Sequence, residues 1–225
     1  MEKKTLKSIE LFCGGGGSSL GLRRAGFKHQ LLLDNDKFCI ATIKHNRKKW
    51  KVCQEDITKY SFKKFKGKID LVSGGFPCQA FSIAGKRKGF DDERGNLFYE
   101  FVRAIKEIKP KVFLCENVEG LKSHDGGKTL EIIIKEFKEL SYVVSYKILD
   151  TSNYSVPQKR KRMIIVGINN KFSTVPFCFD KIIKGKRVLT LHDAIMAPPI
   201  NSILHEEDGG IKYSEKKKKI MKKSS

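Results

Sequence analysis

No two cysteines of this chain form a C-x-x-C pair, and no His-x-x-x-His accompanies the six that are present: Cys13, Cys39, Cys53, Cys78, Cys115 and Cys178. That pattern argues against zinc and against a disulfide framework, and scattered thiols fit a reducing cytoplasm. Long apolar runs are missing too. None reaches the roughly 18 residues that span a bilayer, and the opening MEKKTLKSIELF lacks the apolar stretch of a secretion signal. Acidic residues are scarce: 25 Asp and Glu face 46 Lys and Arg in 225 residues, a formal charge of +21. That balance favours a polyanionic partner, with nucleic acid first among the candidates. No internal repeat is visible, and the length suits one sizeable domain with a small appendage.

What is present is an alternation of short apolar runs with amphipathic segments, the pattern of βαβ units around a largely parallel sheet. Strands are expected at Ser8 to Phe12, Gln30 to Asp34, near Val52, at Ile69 to Gly75 and at Lys111 to Val118. Helices are expected after the glycines up to Gly26, then at Lys37 to Asn46, Asn96 to Ile108 and Thr129 to Leu140. The rhythm then changes. YVVSYKILD and KRMIIVGIN read as neighbouring strands joined by the loop TSNYSVPQKR, so the sheet is expected to end in an antiparallel pair. Beyond residue 171 the pattern weakens, Pro198 and Pro199 mark a break, and YSEKKKKIMKKSS reads as a frayed basic helix or a disordered tail.

A strand, the glycines Gly14 to Gly17 and a helix follow one another directly. Glycines let the backbone pass close to a ligand and leave the helix N-terminus facing it. The next strand ends in Asp34, about 20 residues on, where a carboxylate can accept hydrogen bonds from ribose hydroxyls. Asp56 and Ile57, after the third strand, suit an adenine amino group and an adenine face. Together these indicate an adenosine-containing cofactor, and on this turn alone a nicotinamide dinucleotide stays open.

Two further residues stand at strand ends. Cys78 follows IDLVSGGFP and Glu116 follows KVFLC, so both belong at the carboxyl edge where open α/β sheets place their ligands. Cys78 is followed by Gln79, Ser82, Lys86, Arg87 and Lys88 rather than by apolar residues. A thiol in that setting suits chemistry on a polyanion.

ELFCGGGG, GGFPCQAFSIAGKRKGFDDERGNLF, CENVEGL and VPQKRKRMIIVGI occur in an order and spacing that resemble the cytosine-C5 DNA methyltransferases of bacterial restriction–modification systems. The resemblance runs from about Ser8 to Ile168. It implies a Rossmann-like S-adenosylmethionine-dependent methyltransferase fold in a bacterial cytoplasm, acting on double-stranded DNA. It makes Cys78 the nucleophile that adds to C6 of a flipped cytosine, which renders C5 able to attack a sulfonium methyl. It makes Glu116 the group that bonds the ring N3 and exocyclic amine, a role that calls for a raised pKa. Arg160 and Arg162 resemble the family's arginine pair, stabilising charge that develops on O2.

The resemblance also places Phe12 and the Gly14, Gly16 and Gly17 turn around S-adenosylmethionine, with Asp34 on the ribose and Asp56 and Ile57 on the adenine. Pro77, and Glu100 or its neighbours, are further candidates. Gln79, Ser82, Lys86, Arg87 and Lys88 would face DNA, with Gly85 and Gly89 letting their loop close.

The target-recognition region and two later motifs of the family are not visible. Residues 1–171 are therefore expected to form the catalytic domain, and residues 172–225 the start of the recognition region with its basic tail. One subunit of a split enzyme, completed by a second polypeptide, and a truncated form both fit. An RNA cytosine-5 methyltransferase and a non-catalytic nucleic-acid-binding module are the alternative functions.

Overall fold

The computed structural model describes residues 5–77, 96–185, 187–190 and 192–193. Its centre is a seven-stranded sheet of order β3-β2-β1-β4-β5-β7-β6. The strands are β1 (Leu6–Leu11), β2 (Phe27–Asp34), β3 (Val52–Gln54), β4 (Leu71–Gly74), β5 (Val112–Val118), β6 (Tyr142–Asp150) and β7 (Lys161–Asn169). β1 to β5 are mutually parallel, while β7 runs antiparallel to both β5 and β6. The expected α/β class and terminal antiparallel pair are thus observed. The last strand in sequence inserts between β5 and β6, which leaves β6 at the sheet edge.

Among the described residues four helices flank the sheet: α1 (Gly17–Arg24), α2 (Lys37–Asn46), α3 (Asn96–Ile108) and α4 (Lys128–Glu139). Each follows from local sequence. Asp36 caps α2, its carboxylate accepting from the N–H groups of Phe38 at 2.7 Å and Cys39 at 2.8 Å. In α3, Phe98, Phe101, Ile105 and Ile108 recur at spacings of three and four, so one face carries the apolar residues, and all four are fully buried. In α4, Leu130, Ile133 and Phe137 do the same.

α3 and α4 press on one side of the sheet, against Ile9, Leu11, Leu33, Val72, Phe113, Cys115 and Ile165. The rings of Phe113 and Phe137 lie 4.1 Å apart, centroid to centroid, and Phe101 meets both edge-on. Each such buried ring contributes about 2 kcal/mol from area alone. A smaller cluster of Cys13, Leu32, Ile40 and Ile43, with Trp50 and Val52, fills the space under α2.

The sheet's order reverses between β1 and β4: from β1 the chain proceeds outward to β2 and β3, and from β4 to β5. Connections after β1 and β4 therefore diverge and leave a crevice at the carboxyl edge. β7, being antiparallel, brings its beginning to that same edge, with Arg162 opposite Val118. Among the described residues, no helix is long and apolar enough to cross a membrane.

Candidate active site

At the end of β1 the backbone turns sharply. Phe12 has φ 56, a left-handed conformation that costs a non-glycine residue energy and marks functional sites. Gly14 follows at φ 50, and Gly16 at φ 85 serves as N-cap of α1. A Cβ at Gly16 would also stand 3.1 Å from Ile43 Cγ1, so this position needs glycine for both backbone and space. At Gly14, Gly15 and Gly17 a Cβ would meet nothing within 4 Å, so the outer surface of the turn is bare backbone. The Asp34 carboxylate joins the turn to β2, accepting from Gly14 N–H at 2.8 Å and Asp36 N–H at 2.9 Å.

Asp56 caps a short 3-10 turn over Ile57–Lys59. Its Oδ1 accepts from the Thr58 N–H at 2.9 Å and the Thr58 hydroxyl at 2.8 Å. The Thr58 N–H, and then its hydroxyl, hold this carboxyl below the usual carboxylate range, so near neutral pH it is an acceptor only. Ile57 is 4 % exposed and packs in the main core. The glycine turn offers bare backbone at a helix N-terminus, and Asp34 at the end of β2 and Asp56 beyond β3 add two carboxylate acceptors. That set fits a ligand carrying ribose hydroxyls and an amino-substituted base.

The second half of the site comes from β4, β5 and β7. Glu116 and Arg162 meet as an ion pair, Arg162 Nε to Glu116 Oε1 at 2.7 Å, with side chains 41 % and 22 % exposed respectively. Gly75 makes room for that carboxylate: a Cβ there would lie 3.0 Å from Glu116 Oε2. Pro77 is exposed just beyond. Arg160 is exposed and its carbonyl accepts from the Thr151 N–H at 3.1 Å. Glu100 is engaged elsewhere, on Arg103 of its own helix at 2.6 Å. Cys78, Gln79, Ser82, Lys86, Arg87 and Lys88 lie outside the described residues. Of the described cysteines, Cys13 and Cys115 are buried and burial pushes both thiols up, so they are inert packing groups.

The family model for C-5 cytosine-specific DNA methylases matches residues 6–224. The chain belongs to that family. It is 47 % identical over 219 residues to the Type II methyltransferase M.PspPI of Psychrobacter and 42 % identical over 214 residues to M.Eco47II of Escherichia coli. Each match covers 95 % of this chain and 51 % of the relative, so the chain spans about half the length of these curated relatives. M.AquIA of Picosynechococcus is 41 % identical over 182 residues, which cover 74 % of this chain and 72 % of that protein. A crystal structure described as a prophage-encoded DNA modification methyltransferase from Escherichia coli superposes with a TM-score of 0.73 at 28 % identity. The overlap covers 87 % of this chain and 56 % of that one.

In this C-5 cytosine methylase chain, two supports of the site escaped the sequence reading. Asn117, 4 % exposed, donates from Nδ2 to the Phe76 carbonyl at 3.1 Å and accepts from the Val118 N–H at 2.8 Å, tying the end of β5 to the segment before Cys78. Beneath the glycine turn, Glu10 accepts from the hydroxyls of Ser18 and, at 2.6 Å, Ser19. His29 Nε2 lies 3.0 Å from the Ser19 carbonyl, which can only accept. Nε2 therefore carries the proton, and Nδ1 accepts from the Ser8 hydroxyl at 2.9 Å. Burial raises the Glu10 pKa and lowers that of His29. The periodicity of β1 offered one signal: a glutamate between Ile9 and Leu11, in a strand buried on both faces, needs partners.

Proposed function

We propose that this chain carries the catalytic residues of a DNA (cytosine-5) methyltransferase that uses S-adenosylmethionine. The observation that carries the reading is the 2.7 Å Glu116–Arg162 pair at the carboxyl edge, beside the strand that leads to Cys78. In cytosine the ring atom N3 is bonded to C2, the atom that bears O2. A carboxylate on N3 and a guanidinium on O2 must therefore be neighbours, as these two are.

Phe12, the Gly14–Gly17 turn, Asp34, Asp56 and Ile57 would hold the cofactor, with Pro77 at its margin. S-adenosylmethionine, when bound, supplies an electrophilic methyl group. The chain's own residues do the rest. Cys78 Sγ, as thiolate, forms a bond to C6, and the C5–C6 electron pair moves onto C5. Glu116 holds the proton at N3, and Arg162 with Arg160 stabilises charge on O2. After transfer, the C5 proton passes to water, the C5–H electron pair re-forms the C5–C6 double bond, and the C6–Sγ pair leaves with Cys78 as thiolate, which restores the aromatic ring. Gln79, Ser82, Lys86, Arg87 and Lys88 would contact the duplex from which the base is flipped.

Covalent trapping tests this. DNA carrying 5-fluorocytosine forms a stable adduct with the active enzyme, because fluorine cannot leave as a cation, and Cys78→Ser abolishes the adduct. An adduct that survives Cys78→Ser would sink the nucleophile assignment, and transfer to matched tRNA but not DNA would move the substrate class to RNA.

The chain spans 51 % of M.PspPI, and the residues that read the target would lie in the remainder. We place the catalytic domain at residues 1–171 and infer that a recognition portion, continuing from residue 172 or supplied by a second polypeptide, completes the enzyme. The match to 72 % of M.AquIA supports a catalytic portion of such size in one chain. Alone, the 225-residue chain should bind duplex DNA weakly, without sequence preference and with strong salt dependence. Robust site-specific methyl transfer by the chain alone would show that no further portion is needed.

A further inference from the structure

The turn that carries Asp56 and Ile57 is clamped from α3 by a single guanidinium. Arg103 donates from Nη2 to the carbonyls of Ile57 at 2.7 Å and Tyr60 at 3.1 Å. Its Nε donates to Glu100 Oε2 at 2.7 Å and its Nη1 to Glu107 Oε1 at 2.9 Å. The second oxygen of Glu107 completes the clamp by accepting from the Phe62 N–H at 2.7 Å. The guanidinium carbon also sits 5.5 Å from the centroid of the fully buried Phe62 ring. Three points of the 57–62 backbone thus hang on one ion-pair cluster, and all of them are one to six residues from Asp56.

This geometry is specific to arginine. A planar fork can serve two carboxylates and two carbonyls at once, whereas a lysine ammonium has three donors at one point and cannot span them. Glu100 and Glu107, on the same helix, hold the fork in plane. Arg103 meets the expected cofactor surface at the Ile57 carbonyl. Its effect passes through the backbone that bears Asp56, whose carboxylate is anchored to Thr58 in the same turn.

We propose that Arg103 is a positioning residue for base discrimination: by holding the Ile57 and Tyr60 carbonyls it aims Asp56 at the amino group of the cofactor's adenine. The inference rests on the cofactor reading above. It assigns Glu100 to the clamp rather than to the ligand, and it makes selectivity, rather than affinity alone, the property that Arg103 controls.

The test compares two probes on the 225-residue chain by titration calorimetry: S-adenosylhomocysteine and its deaminated counterpart S-inosylhomocysteine, which offers Asp56 a carbonyl in place of the amino group. The unaltered chain should prefer the adenine probe by about tenfold or more, the span of a hydrogen bond to a carboxylate. In Arg103→Met and Arg103→Lys that preference should fall to about threefold or less, with the loss concentrated on the adenine probe. Equal weakening of both probes, with the preference intact, would make Arg103 a stabilising residue only and overturn the proposal. No preference in the unaltered chain would instead overturn the Asp56 reading on which the proposal stands. Should both Arg103 variants fail to fold, Glu107→Gln carries the same comparison, and an unchanged preference there counts against the clamp.

Discussion

The two supports of the presumed cofactor surface are built on opposite principles. Beneath the glycine turn, Ser8 and Ser19 are fully buried, Glu10 is 1 % exposed and His29 6 %. Beneath the 57–60 turn, the Arg103 side chain remains 30 % exposed, and its partners Glu100 and Glu107 are 15 % and 18 % exposed. In the first, Ser8, Glu10, Ser19 and His29 are buried away from water, so these groups depend on their protein partners. In the second, water can replace a lost partner. The sealed network is therefore a stability element first, and the open clamp a geometric one.

The largest effect should come from breaking the sealed support. Glu10→Ala leaves the Ser18 and Ser19 hydroxyls without their acceptor and opens a void, costing about 3 kcal/mol in urea unfolding. A cost no greater than that of Arg103→Met would erase the contrast. Asp34, which spans from β2 to the glycine turn, comes next. Asp34→Ala should weaken S-adenosylmethionine by about 2 kcal/mol, roughly 30-fold by calorimetry, as the ribose acceptor and the anchor of Gly14 N–H are both lost. Arg103→Met follows, at about 1.5 kcal/mol of stability, because solvent reaches Glu100 and Glu107 once the guanidinium is gone.

The smallest effect is on pH dependence, and it is read in the sealed network. The folded His29 pKa lies below its ordinary 6.5, so the unfolded chain takes up the proton first. His29's contribution is complete above pH 6.5 and is lost as pH falls from there toward the folded value. Glu10 works in the opposite sense: its folded pKa lies above 4.5, so its contribution is complete below 4.5 and lost as pH rises. His29→Gln should therefore flatten the decline of melting temperature below pH 6.5. An identical decline in the variant would assign it to other groups.

Much of this was readable in order along the chain. Apolar runs located the strands of the parallel sheet, and KFCIATIKHN read as the helix that is found there. Asn117 was harder. As a residue next to Glu116 it reads as a turn cap, and only the adjacency of β4 and β5 brings Phe76 within reach of its amide. Arg103 was invisible for the same reason: its acceptors are backbone carbonyls 46 and 43 residues away, and backbone atoms leave no trace in composition or spacing.

The sequence by itself determined where the strands, the glycine turn and the helices lie and which side chains stand at each strand end, because strand ends, glycine turns and helix caps are local features dictated by a few neighbouring side chains. The tertiary structure alone decided which of them meet. β7 could have lain beside β6 at the far edge of the sheet; its insertion against β5 instead sets Arg162 opposite Val118 and onto Glu116. That choice rests on burial. Paired with β5, β7 brings Met163 and Ile165 into the main core with Phe113 and Cys115, a nonlocal requirement that no short stretch of the chain expresses.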